Sequence, residues 1–335
     1  MERQELPMVF TEENTHAKKK NRKRKMVQEK EEKEETEAKR RRTGSSPTTK
    51  REKAEEVVQA VELKEWDPRS LPDHFFLVLE GKRRTGKSTF AKWLLQWYQD
   101  KFALVWCMTK TSASGYWQQF VGEKFTFNDF YPSAVEALVQ RNDAIIRQWG
   151  EDSPQAKKLG SALIILDDVI SGKVHDDPTF KQLAVEGRHH LLSIILMTQD
   201  PKAIGPLVRD NADVAVVFNQ KTMRNKESIW HDFMNDVDKD TSFALLSRYA
   251  VEHDGLVCVQ TNLNANIQKN FQKTSGDKTK LWNPEYCLGS PQQQQMILNE
   301  RKLKKAKEER IKRSQNTGLN LNEAASLTAE KILRS

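Results

Sequence analysis

Residues 81–88 read Gly-Lys-Arg-Arg-Thr-Gly-Lys-Ser, and no other stretch narrows the possible folds as much. Two glycines with four residues between them, the second followed by Lys-Ser, form the pattern of a phosphate-binding loop. Gly81 and Gly86 permit the tight backbone that turns successive N–H groups inward around an anion. Lys87 supplies a point charge for β- and γ-phosphates, and the Ser88 hydroxyl is a ligand for Mg²⁺. Lys82, Arg83, Arg84, Thr85 and Thr89 complete the nucleotide-binding set. Such a loop works only between a buried strand and the N-terminus of a helix. The flanks fit. Residues 74–80, His-Phe-Phe-Leu-Val-Leu-Glu, suit a buried parallel strand, and residues 89–98 put Phe90, Trp93, Leu94 and Trp97 on one helical face.

A parallel sheet needs further apolar runs separated by crossovers, and the chain provides them. Residues 102–109, 162–168, 191–199, 214–218 and 255–260 read as strands, and helices are expected at 132–149, 178–186, 223–235 and 239–248. Residues 150–160 read as a charged connection. The strand Ala-Leu-Ile-Ile-Leu-Asp-Asp at 162–168 ends in two acids. At this distance beyond a phosphate loop, Asp167 is placed to hold Mg²⁺ and Asp168 to polarise an attacking water. The bland alternative is a solvated strand end. The strand at 191–199 ends in a lone polar residue, Gln199, which can contact the γ-phosphate or the attacking water, or merely cap the strand. The fold class expected is a three-layer α/β phosphate-loop domain over residues 61–275.

Charge divides the chain. The 335 residues carry 55 Lys+Arg and 47 Asp+Glu for a formal net charge of +8. Residues 1–53 alone hold 17 of the basic and 11 of the acidic side chains, so the remainder is nearly neutral. Residues 1–60 have too little apolar surface to offset chain entropy and are expected to be disordered. Their basic clusters, 18–25 and 39–42, suit nuclear import, nucleic-acid backbone, or plain solubilisation. Residues 276–335 read as a polar tail, partly helical, with eight basic and two acidic side chains at 301–313. The charges surround that helix instead of lining one face, which favours solvent over DNA. Cys107, Cys258 and Cys287 show no paired or metal-like spacing and read as reduced core thiols. No secretory signal and no membrane-length apolar run is visible, which suggests an intracellular protein.

The loop, the Leu-Asp-Asp strand end, Gly187-Arg188-His189 before a strand ending Thr198-Gln199, and Arg209-Asp210-Asn211-Ala212-Asp213 before an apolar strand occur in one order. In that order they resemble the poxvirus-type genome-packaging ATPases of the FtsK/HerA superfamily, over roughly residues 70–275. The resemblance implies a RecA-like, additional-strand sheet ordered 5-1-4-3-2 and an ATP- and Mg²⁺-dependent motor. It also implies a homo-oligomeric ring translocating double-stranded DNA into a preformed capsid, docked on a capsid or portal-like vertex protein. The site would be a host nucleus or a cytoplasmic viral factory. A ring site needs an arginine at the transferred phosphate. Arg209, in what reads as an exposed turn before the fifth strand, is the leading candidate to act on the neighbouring subunit, or a surface arginine without a role. Arg188 and Arg83 are its rivals. The basic residue three before Gly86 resembles the loop of large terminase subunits, which would let Arg83 act in cis. Two other functions stay open: another FtsK/HerA-type translocase or helicase, and a DNA-binding scaffold whose nucleotide site is structural.

Overall fold

The computed structural model describes residues 48–170, 173–201, 205–261, 266–277, 281 and 283–317. The basic clusters at 18–25 and 39–42 lie outside them. By internal contacts the chain divides into residues 1–57 and 58–335. Of the first unit only the start of the helix Thr48–Ala60 is described. That helix corrects the expectation of disorder up to residue 60. In the second unit Val58 already belongs to the hydrophobic core, so the folded region starts before Val61.

Among the described residues eight strands form one sheet: β1 (Phe76–Glu80), β2 (Leu104–Thr109), β3 (Thr126–Phe127), β4 (Ala162–Asp167), β5 (Leu192–Thr198), β6 (Val214–Val217), β7 (Gly255–Val259) and β8 (Phe271–Thr274). Their spatial order is β3-β2-β4-β5-β1-β6-β7-β8. Five of the six expected strands, β1, β2, β4, β5 and β6, are parallel and take the expected 5-1-4-3-2 order, and the sixth, β7, is antiparallel. β3 extends one edge in parallel, and the antiparallel β7 and β8 extend the other. β4 and β5 are almost continuous apolar runs because both faces of the sheet are covered. One core packs Phe76, Val78, Ile164 and Leu196 under the helices Pro132–Trp149, Pro178–Glu186, Met223–Phe233 and Lys239–Tyr249. The other packs Leu77, Leu79, Ile165 and Met197 under the helix Lys87–Gln96. Helix starts follow local chemistry. Proline opens those at 132, 154, 178 and 206, and Ser153, Asp177, Thr222 and Asp238 accept hydrogen bonds from the free N–H groups of the first turns.

Three expectations are corrected. Residues 154–160 form the helix Pro154–Gly160, started by its Ser153 cap. Trp97 falls just past the end of the helix Lys87–Gln96 and is 44% exposed, so it does not share the buried face of Phe90, Trp93 and Leu94. Residues 283–301 are not a detached tail. Tyr286 and Leu288 join the second core, and Ile297 is buried in the helix Pro291–Thr317. The Gln293 amide, 2% exposed, accepts from Val105 N–H at 3.0 Å and donates to the carbonyls of Val105 and Val121 at 2.8 and 2.9 Å. One side chain thus satisfies backbone groups on two elements, each of which would cost about 1–3 kcal/mol if buried unpaired. Residues 302–310 of that helix are exposed. Cys107, Cys258 and Cys287 are buried free thiols. Among the described residues no helix is long and apolar enough to cross a membrane.

His74, just before β1, makes stability depend on pH. Neither ring nitrogen has a hydrogen-bond partner. Burial, then the Lys101 ammonium and more weakly Lys157, hold its pKa down to about 4, against an opposing pull from Asp73. The neutral ring is therefore what the fold accepts, whereas an unfolded chain protonates near 6.5. The stability this gives is fully present above pH 6.5 and is lost as pH falls toward 4. Allowing for partial exposure, the swing is about 2 kcal/mol. His74→Leu should therefore lose less stability than wild type between pH 7 and 4.5, measured by urea midpoints. Equal losses in the two chains would remove His74 as the source.

Candidate functional site

The phosphate loop, the acid pair and Gln199 sit at the carboxyl edge of β1, β4 and β5. Gly81 leaves β1 with no room for a side chain, since a Cβ there would stand 2.8 Å from both Phe218 Cβ and Thr85 Oγ1. Arg84 (φ 62°) and Gly86 (φ 101°) take left-handed backbone, which reverses the loop into the helix Lys87–Gln96. Thr85 Oγ1 pins the loop by donating to the Lys82 carbonyl at 2.8 Å. No side chain caps this helix and its first turn has no acid, so its N-terminus faces the loop without a competing anion. Lys87 is 8% exposed and its ammonium donates to the Gly81 and Lys82 carbonyls. Burial lowers its pKa, while Asp168, Glu80 and Asp167 oppose that. Ser88 and Thr89 follow in the first turn, and Lys82, Arg83 and Arg84 flank them, the two arginines exposed.

Asp167 ends β4, and its Oδ2 accepts from the Trp117 indole N–H at 2.8 Å. Asp168 takes left-handed backbone (φ 58°), fixed by its N–H bond to the Met197 carbonyl at 3.0 Å. Burial raises both carboxyls, and Lys87 and Arg83 partly restore the charge of Asp168. β5 lies between β4 and β1, so Gln199, one residue past it, stands between the loop and the acids. Arg83 Nε donates to Gln199 Oε1 at 3.2 Å. The loop, the acid pair and the strand-end amide therefore meet in one place. Such an arrangement can neutralise a triphosphate, hold a divalent cation and orient a water.

The donor set suits Mg²⁺. The Ser88 hydroxyl and Asp167 carboxylate are hard oxygen ligands, and among the described residues no group of three or more His, Cys, Asp or Glu could hold a metal unaided. A cation that keeps waters and shares nucleotide phosphates needs no fuller cage.

The other arginines are placed differently. Arg188 lies in the turn Gly187–His190 that precedes β5, at the amino edge of the sheet, away from its own chain's loop. Arg209 is not in an exposed turn. It lies in the helix Pro206–Asn211 and is ion-paired with Asp232, whose side chain is 4% exposed. The expected free arginine already has an anion.

Sequence reasoning left four residues without a role. Glu80 is 0% exposed, and neither carboxylate oxygen has a hydrogen-bond partner. Burial drives its pKa well up, opposed by Lys87. An acid closing an apolar strand directly before the loop glycine was a visible signal. Trp117 and Tyr116 come from a segment that read only as polar and aromatic, and the Tyr116 hydroxyl faces the Ser88 and Thr89 side chains. Lys92, one turn beyond Ser88, places its ammonium 3.2 Å from the centre of the Tyr116 ring and 4.3 Å from that of Phe120. Burial lowers its pKa to about 8.

Comparison with known proteins gives the family. The chain is 24% identical over 168 residues to the uncharacterized protein 015R of Frog virus 3 (isolate Goorha), covering 49% of each. It is 22% identical over 175 residues to the uncharacterized protein L437 of Acanthamoeba polyphaga mimivirus, covering 51% of this chain and 62% of that one. The chain thus spans about half to three-fifths of the length of these curated relatives. Among solved structures it is similar to the genome packaging NTPase B204 from Sulfolobus turreted icosahedral virus 2 in complex with AMPPCP. That similarity has a TM-score of 0.40 and 18% identity, and covers 61% of this chain and 99% of the other. The family described as Poxvirus A32 protein matches residues 64–246, which take in β1 to β6, the loop, both acids, Gln199 and Arg209. That match spans more than half of the sequence, and the chain belongs to the Poxvirus A32 protein family.

Proposed function

We propose that this chain is an ATP-hydrolysing, DNA-translocating motor that packages a double-stranded genome into a viral capsid. The observation that carries the reading is the meeting of Lys87, Asp167, Asp168, Gln199 and Arg83 at one sheet edge in a member of the A32 family. In hydrolysis Lys87 leaves the loop carbonyls for the phosphates. Ser88 and Asp167 would hold Mg²⁺, which would supply neutralisation of the phosphate charge. Asp168 takes the proton of the attacking water, and Gln199 orients that water or reports the loss of the γ-phosphate. Arg83 stabilises the transition state from the same subunit, because it already touches Gln199 whereas Arg209 is engaged with Asp232. The motor works as a homo-oligomeric ring on a capsid or portal-like vertex protein. The basic N-terminal segment serves nuclear import or binding to the DNA backbone.

The test is ATP turnover with and without duplex DNA. A motor hydrolyses ATP faster on DNA, whereas a structural nucleotide site binds ATP without turnover, and that outcome would end the motor reading. DNA affinity across a salt series, with and without residues 1–53, shows whether the basic segment neutralises phosphates. For each phosphate it neutralises, its deletion should make the slope of log affinity against log salt shallower by about 0.9.

A further inference from the structure

Between β2 and β3 the chain folds back over the loop side of the sheet. Gly115 (φ 68°) reverses it after the turn Ser112–Ser114, and the short helix Gln118–Val121 follows. Trp117 stands at the junction, 1% exposed, its carbonyl accepting from the N–H groups of Phe120 and Val121 at 2.9 Å each. The Tyr116 ring meets the indole edge-on at 5.6 Å and 85°, and Tyr116 is itself held by the Lys92 ammonium. From the far side Leu288 N–H donates to the Phe120 carbonyl at 2.9 Å and Gln293 donates to that of Val121, while Phe120 packs on Tyr286 at 4.7 Å. Tyr116 therefore packs on the indole itself, and the short helix that follows Trp117 is held by residues 286–293. The one polar group of the indole points at Asp167 Oδ2.

We propose that Trp117 is a positioning residue for the metal-binding carboxylate: its N–H fixes one oxygen of Asp167 and leaves the other for Mg²⁺ at the nucleotide site. This rests on the nucleotide-site reading above. A carboxylate at a strand tip can rotate about its last bonds, and a single rigid donor removes that freedom before the cation arrives. Groups that orient a metal ligand in this way typically account for 10- to 100-fold in metal affinity. The donor belongs to the segment that carries the docked residues 286–293, so the aim of Asp167 also depends on the C-terminal helix remaining seated.

The cleanest substitution replaces Trp117 with 3-benzothienylalanine by site-specific incorporation in the full chain, which keeps the ring shape and removes only the N–H. Trp117→Phe is the second variant. ATP affinity is measured in EDTA, followed by titration of the ATP-bound chain with Mg²⁺ and, by electron paramagnetic resonance, with Mn²⁺. The expected result is unchanged ATP affinity in EDTA and 10- to 100-fold weaker affinity for both metals. In an Asp167→Asn background the analogue should have no further effect, since it acts through that side chain. Unchanged metal affinity would overturn the proposal. So would tighter binding, which would make the indole a competitor of the cation, and so would an equal loss of ATP affinity with and without metal, which would make Trp117 merely structural. If the unaltered chain binds no ATP in EDTA or Mg²⁺, the nucleotide reading itself falls, and this inference with it.

Discussion

Arg83→Ala should bind ATP with nearly unchanged affinity and lose at least about 10³-fold in turnover, the lower end of what a transition-state arginine contributes in related phosphoryl transfer. Arg83 is an exposed loop residue, so its removal leaves both cores intact. Its guanidinium reaches Gln199 and is close enough to help hold the Asp168 carboxyl ionised. These are the two groups that would face the attacking water. Arg83→Lys should restore little, because an ammonium cannot bond Gln199 and a phosphate oxygen in one plane. The rival is Arg209 acting on a neighbouring subunit. To do so it must leave Asp232, stranding a carboxylate whose side chain is 4% exposed, and a buried charge that loses its partner is costly. Mixing decides between them. If Arg83→Ala turns over normally, and Arg209→Ala subunits regain hydrolysis only when mixed with Lys87→Ala subunits, the arginine acts in trans and the cis assignment is wrong.

The second large effect separates binding from chemistry. Lys87→Ala should lose nucleotide binding, because it removes the buried cation that donates to the Gly81 and Lys82 carbonyls. Those carbonyls would then face the phosphates with nothing between. The Glu80 carboxyl would also lose the positive charge that opposes the rise of its pKa. Asp168→Asn should keep ATP affinity and lose about 10²- to 10⁴-fold in turnover, the usual weight of a general base. The amide is the same size and accepts the same left-handed backbone, which Asn tolerates as well as Asp. Affinity by fluorescent-nucleotide titration and phosphate release give the two quantities. Wild-type turnover in Asp168→Asn would move the base elsewhere, and Glu80, buried with both oxygens unpartnered, is the next carboxylate to replace.

Family membership adds a constraint on how these results combine. The matched residues 64–246 end before β7, so the site lies within the shared region while residues 276–317 lie beyond it. The docked Gln293 and the exposed basic stretch that follows it are therefore where this chain can differ from its relatives.

The order of the strands was expected only from the family resemblance. The loop and the strand tips were determined by the sequence alone, and each rests on local physics. Glycines at 81 and 86 are required by close approach and positive φ, and unbroken apolar runs such as Ile164-Ile165-Leu166 mark strands covered on both faces. Helix starts at 132 and 178 were legible because proline and its neighbours satisfy the first turn in place. Partners distant in sequence were not legible. That Arg209 meets Asp232, that Trp117 meets Asp167 fifty residues on, and that Gln293 closes on Val105 and Val121 depend on which faces the sheet brings together. The same holds for residues 283–301. Their composition is that of a solvated tail, and only the groove beside β2 supplies the buried backbone groups that dock them. Periodicity states what a segment can bury. The fold decides what lies opposite, because the energy of a buried polar group is set by a partner the local sequence does not contain.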